Sequence, residues 1–216
     1  MRIRPFILAF AFACSSLFAF AQKGELSSAK SNYEKFTAIK QLNLKKALNI
    51  TDLKAAKESI DKAVVHEKTM NDPSAWAYKA LIYVELATLD TIPATSRPLA
   101  TEAAAAIKKG TELDKAGTSK SNLDTASGLL AQYELNNGVR AYQSKKFDDA
   151  YSAFTQALTY RPGDTTLTYY SGLAAVNMKD YKKAIQQYEA LTKTNFSTNK
   201  YIYLELSRMY ARELDT

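Results

Sequence analysis

The sequence predicts an all-α fold, a stack of antiparallel helical hairpins. Three observations carry that prediction. Only seven glycines and five prolines punctuate the 216 residues, while Ala, Lys, Leu and Tyr recur throughout, a balance that favours helices over strands. Short alternating runs closed by tight Gly turns are absent. The one Asn-Gly pair, Asn137-Gly138, lies inside a stretch of helical period. Finally, KKFDDAYSAFTQAL (145–158) is echoed by KDYKKAIQQYEAL (179–191) at a fixed distance. Gly138 and Gly172 stand 172 − 138 = 34 residues apart, as do Phe147 and Tyr181, Ala150 and Ala184, Phe154 and Tyr188, and Ala157 and Leu191. A constant period in this range marks a stacked-repeat architecture.

Residues 1–21 read as a signal peptide that precedes the fold. Arg2 and Arg4 give a basic start, Pro5–Ala21 is apolar apart from Ser15 and Ser16, and Ala19 and Ala21 form the small-x-small pattern before Gln22. Cleavage is expected between Ala21 and Gln22, with export of a Gram-negative type and a periplasmic location. An uncleaved anchor is disfavoured because the apolar run falls short of the roughly 20 residues a span needs. Lipidation at Cys14, which would make an outer-membrane lipoprotein or envelope-assembly subunit, is the alternative; it is disfavoured because the apolar run continues past that cysteine. Membrane attachment would follow only from lipidation. Cleavage lowers the formal charge from +7 to +5, since Arg2 and Arg4 leave and no acid does. It also removes the only cysteine, so the exported fold would rest on its core alone. The mild, dispersed basic charge argues solubility and no more specific partner.

Residues 22–130 read as divergent hairpins with insertions at 86–98 and 115–121. Ala29–Ala47 and Asp52–Thr69 form one hairpin, capped by Thr51, with Ala56, Ile60 and Ala63 facing inward. Asp72 and Pro73 then supply an N-cap and a first-turn proline for a helix carrying Trp76, Ala80 and Tyr83. Pro93 and Pro98 are expected to forbid a continuous helix across 86–98. A second helix follows with Ala103, Ile107 and Gly110. After the linker at 115–121, Asn122–Lys145 reads as one lengthened helix.

Residues 131–164 and 165–198 are the well-matched repeats. Gly138 and Gly172 mark places on a first helix where its partner approaches closely, and Ala150 and Ala184 do the same on the second. Phe147, Phe154 and Ala157 share one face of that second helix. Pro162 stops it, Gly163 makes the turn and Asp164 caps the next helix. A 34-residue helix–turn–helix with Gly at position 8, Ala at 20, an aromatic at 24, a small or apolar residue at 27 and Pro at 32 resembles the tetratricopeptide repeat. The second repeat has Phe196 where Pro is expected, and Glu134 and Thr168 replace the family's Trp at position 4. The resemblance implies a solenoid, an α-α superhelix. Extending the register, residues 199–214 form a terminal first helix with Ile202, Leu206 and Met209 facing the stack. That helix reads either as a solvating cap or as part of a further repeat, the second reading being favoured by Tyr201, Tyr203 and Tyr210.

The resemblance also implies a site. First-helix positions 5, 9, 12 and 13 often face the ligand in this family. Carried over, these give Leu135, Val139, Tyr142 and Gln143, then Tyr169, Leu173, Val176 and Asn177, and finally Tyr203, Ser207 and Tyr210. The family's carboxylate-clamping Lys and Asn set is missing, since Leu135 and Tyr169 hold position 5. An aromatic and apolar lining suits an amphipathic or extended segment of another protein, while each of these residues is also suited to packing between repeats.

Chemistry is otherwise scarce. His66 stands without the array of ligands a metal site requires. Asp148-Asp149 and the Asp61/Glu67 pair lie among lysines on faces read as solvated. No nucleophile elbow, phosphate loop or dinucleotide fingerprint occurs. Neither an enzyme, a cofactor nor a metal is therefore expected. The tyrosines fall mostly at packing positions (Tyr83, Tyr181, Tyr188), so nucleic acid is not an expected partner, and a small ligand bound near Asp90–Arg97 is a weaker reading. The acceptor patterns at Asn49 and Asn195 read as a cap and a turn.

Overall fold

The computed structural model describes residues 24–42, 50–196 and 199–214, and every regular element among them is an α-helix. The expected signal peptide and Cys14 lie outside the described residues. In chain order the helices are α1 (24–41), α2 (Ile50–Ala63), α3 (Pro73–Leu89), α4 (Pro93–Leu113), α5 (Lys120–Gln143), α6 (Phe147–Tyr160), α7 (Thr165–Asn177), α8 (Tyr181–Thr192) and α9 (Asn199–Leu214). The chain divides into two units, Met1–Ala126 and Ser127–Thr216. The division falls inside α5, as does the 130/131 boundary read from the sequence.

In the first unit, α1 buries Leu26, Ala29, Tyr33 and Phe36, a three–four–three spacing that places all four on one stripe. α2 buries Leu53, Ala56, Ile60 and Ala63 in the same way. It begins at Ile50, so Thr51 lies within the helix rather than capping it, and it ends at Ala63, whose carbonyl accepts from the Thr69 hydroxyl. α3 starts as the sequence indicates, with the Asp72 carboxylate accepting from Ser74 N–H at 2.8 Å and Pro73 in the first turn. Ala80 through Ala87 are then buried without interruption. A helix covered on every side has no polar face to show, which is why its apolar period is weak.

The segment 86–98 is helical at both ends. Leu86–Leu89 complete α3, three residues connect, and Pro93 opens α4. Pro93 costs nothing there, because first-turn N–H groups have no helical acceptor. Pro98 sits within α4 and removes one donor, but it lies on an exposed stretch barely a turn from the helix start. The freed carbonyl can be hydrated, so the helix continues. At 115–121 the break is real and slightly shorter. It runs from Asp114 to Ser119, with Gly117 at φ 71° and the Asp114 carboxylate accepting from Ser119 N–H at 2.9 Å.

The second unit shows the 34-residue period in three dimensions. Gly138 on α5 lies against the Phe154 ring of α6, and a Cβ there would stand 2.5 Å from Phe154 Cε1. Gly172 on α7 lies equally close to Tyr188 of α8. Ala150, Phe154, Ala157, Ala184, Tyr188 and Leu191 are buried, while Phe147 and Tyr181 are half-buried at the helix starts. The turns repeat as well. Lys145 and Lys179 both take the left-handed backbone, and the following N–H closes a wider ring on each side, Lys146 to Ala141 O at 2.9 Å and Asp180 to Ala175 O at 3.1 Å. α6 ends at Tyr160, just ahead of the exposed Pro162. Gly163 turns at φ 79°, and the Asp164 carboxylate accepts from Thr166 and Leu167 N–H at 3.0 Å. α8 lacks that proline and stops at Thr192, with Thr194 N–H and hydroxyl both donating to Leu191 O. Ile202, Leu206 and Met209 seat α9 on Tyr188 and Leu191.

Candidate functional site

The eleven residues assigned to a groove fall on the three first helices of the second unit, α5, α7 and α9. Their burial sorts them into two groups. Leu135, Val139 and Tyr142 are half-buried against Ala150, Phe154 and Ala174, so α5 spends these side chains largely on the hairpin core. Tyr169 and Val176 do the same against the cluster around Tyr188. Tyr169 lies nearly parallel to the Tyr188 ring, with centroids 6.3 Å apart and planes at 13°, and it also meets Phe196 at 5.5 Å and Tyr170 at 5.8 Å. Leu173 is half-buried, and its carbonyl accepts from Asn177 Nδ2 at 2.8 Å. Gln143, Asn177, Tyr203, Ser207 and Tyr210 are exposed.

One bond joins two of the first helices directly. Asn177 Nδ2 donates to the Tyr142 hydroxyl at 2.9 Å, across 35 residues. Tyr142 is held in turn by the edge of Phe147, centroids 5.3 Å apart at 67°. On α9 the Tyr210 hydroxyl donates to Glu189 of α8, an acceptor that raises its pKa above the usual tyrosine value. Burial, followed by the hydroxyls of Tyr201 and Tyr170, pushes the Tyr169 phenol up as well. The Tyr169 and Tyr210 phenols are therefore neutral at neutral pH.

Three features of this face were not read from the sequence. Tyr170 stacks on Phe154 with centroids 5.6 Å apart and remains 37% exposed; the Tyr169-Tyr170 pair was its signal. Leu204 adds apolar surface on α9, 50% exposed. A cavity of about 160 Å³ is lined by Ala131, Leu135, Arg161, Asp164, Thr166 and Leu167, of which only Leu135 stood among the assigned residues. It requires α5, the α6–α7 turn and α7 to meet, which no single stretch of sequence announces.

Elsewhere His66 and Asp61 are engaged in structure. His66 Nδ1 accepts from Lys68 N–H at 3.2 Å, within the turn after α2. Asp61 accepts from Lys57 at 2.7 Å and from the Tyr83 hydroxyl at 2.5 Å. Burial and then that hydrogen bond raise the Tyr83 pKa to about 12. Among the described residues, no group of three or more His, Cys, Asp or Glu could hold a metal ion, and no helix is long and apolar enough to cross a membrane.

Residues 141–204 match the family profile described as Tetratricopeptide repeat. This segment carries the tetratricopeptide-repeat pattern. The match runs from the end of α5 through α6, α7 and α8 into α9, the segment in which the Gly172–Tyr188 contact and both left-handed turns occur. Comparison with curated proteins gives no match. Tetratricopeptide repeats generally mediate protein interactions.

Proposed function

We propose that this chain is a non-enzymatic, exported scaffold that holds a segment of another protein along the first helices of its second unit. The observation that supports it best is the register of exposed neutral groups: Gln143 on α5, Asn177 on α7, and Tyr203, Ser207 and Tyr210 on α9. Gln143 and Asn177 stand at one repeat position, 177 − 143 = 34 residues apart, while Tyr203, Ser207 and Tyr210 take the positions that Tyr169, Leu173 and Val176 hold on α7. The Tyr142–Asn177 bond fixes two neighbouring helices of the row. Export rests on the composition of residues 1–21 alone, and mass spectrometry of the mature N-terminus tests it. A chain starting at Gln22 supports the periplasmic reading, whereas a lipid-modified Cys14 replaces it with the membrane-attached one.

Binding is tested by site-specific photo-cross-linking in the native envelope. A cross-linker at Asn177 or Tyr203 should yield the same adduct, and one at Ser152, exposed on the second-helix face, should not. The adduct should weaken in Tyr169→Ala, whose helicity should be retained. Equal labelling from all three positions would overturn the groove.

A further inference from the structure

The cavity at the α6–α7 turn has the size and chemistry of a side-chain socket. Its floor is Ala131, Leu135 and Leu167, apolar groups of which the first and last are almost wholly buried. Its volume of about 160 Å³ compares with the roughly 150 Å³ at which an apolar cavity accepts a benzene-sized guest. Arg161 stands at the rim with its side chain 47% exposed. Its Nη2 donates to Gly128 O at a long 3.3 Å, and Nη1 lies 4.0 Å from the Asp164 carboxylate. Asp164 is itself occupied with the two N–H groups of the α7 cap. A guanidinium offers five donors, so most of this fork is open to an incoming acceptor. An apolar floor beneath an open donor fork suits one aliphatic side chain whose own main-chain carbonyl reaches the rim.

We propose that this socket takes a Leu- or Ile-sized side chain of a partner protein segment, with Arg161 donating to the carbonyl of that same residue. The proposal rests on the scaffold reading, because the socket shares Leu135 with the groove. The test is methyl NMR of the full chain, following the Ala131, Leu135 and Leu167 signals while N-acetyl-leucine N-methylamide is added. Saturable shifts at these three methyls are expected, and N-acetyl-glycine N-methylamide should produce none. Arg161→Gln, a change at an exposed rim, should raise the half-saturation concentration about tenfold. Identical responses to the two blocked residues, or none, would overturn the proposal. So would tight binding confined to N-acetyl-leucine carboxylate, which would indicate a chain terminus, or floor shifts that follow protein dilution alone, which would indicate a second copy. Retained Asn177 and Tyr203 cross-links without leucine binding would remove the socket and leave the groove. Leucine binding without those cross-links would do the reverse.

Discussion

Lys145 and Lys179 stand 34 residues apart and share a left-handed backbone, φ 59° and 62°, each at the turn between the two helices of a hairpin. Left-handed geometry costs a residue bearing a Cβ about 1–2 kcal/mol, and glycine avoids that cost while losing more freedom on folding. Lys145→Gly and Lys179→Gly should therefore each stabilise the second unit by about 0.5–1 kcal/mol. Urea midpoints measure this. A fall in both would mean the turns are not left-handed.

Two glycines should respond in opposite senses to the same substitution. A Cβ at Gly172 would meet the Tyr188 ring, 2.5 Å from Cδ1, whereas at Gly128 the nearest group is Arg161 Nη2 at 3.4 Å. Gly172→Ala should destabilise by about 1–3 kcal/mol through overpacking. Gly128→Ala should gain up to about 1 kcal/mol from helix propensity. Equal effects of the two on thermal melting would undo the assigned pairing of α7 with α8.

In the first unit, Glu85 is 3% exposed and holds Lys40 Nζ at 2.7 and 2.8 Å. Lys40→Met would strand that carboxylate in the core and should cost about 3 kcal/mol. Adding Glu85→Leu should recover most of the loss, since a buried pair is often replaceable by apolar groups. A double variant no more stable than the single would argue against the pairing.

Asp180 is held below its ordinary carboxylate range, first by the hydrogen bond with the Lys183 side chain and then by Lys183 N–H. A depressed folded pKa gives stability that is complete above the unfolded value near 3.8 and lost as pH falls through the folded one. Asp180→Asn retains a capping side chain but cannot titrate. The stability gap between wild type and variant should be constant at neutral pH and should narrow below about pH 4. A gap unchanged down to pH 2 would remove the ion pair from the account.

The Tyr142–Asn177 bond lies on an exposed rim, so its worth is modest. A double-mutant cycle with Tyr142→Phe and Asn177→Ala should give a coupling of about 0.5–1 kcal/mol. Strict additivity would show that the two helices are not linked at that point.

The hairpin register was legible because glycine–aromatic contacts recur at a fixed distance and only one spacing satisfies them all. Gly138 with Phe154 and Gly172 with Tyr188 leave little choice. Pro98 misled, since its sequence signature is the same whether it breaks a helix or lies near an exposed helix start. The burial of Glu85 was hidden because its partner, Lys40, comes from 45 residues away. At the candidate site, spacing placed Tyr142 and Asn177 on one face but could not show that they bond to each other. Nor could it show that Val139, Tyr169 and Val176 serve mainly to pack the core. Residues that brace and residues that bind share the same apolar alphabet.

None of the eleven groove residues is an Asp, Glu, Lys, Arg or His, and that bears on kinetics. A partner approaching such a lining gains no long-range guidance, so association should proceed near the unsteered 10⁵–10⁶ M⁻¹s⁻¹ and vary little with ionic strength. Discrimination between partners would then reside in dwell time, with a well-fitting segment leaving slowly and a poor one soon departing.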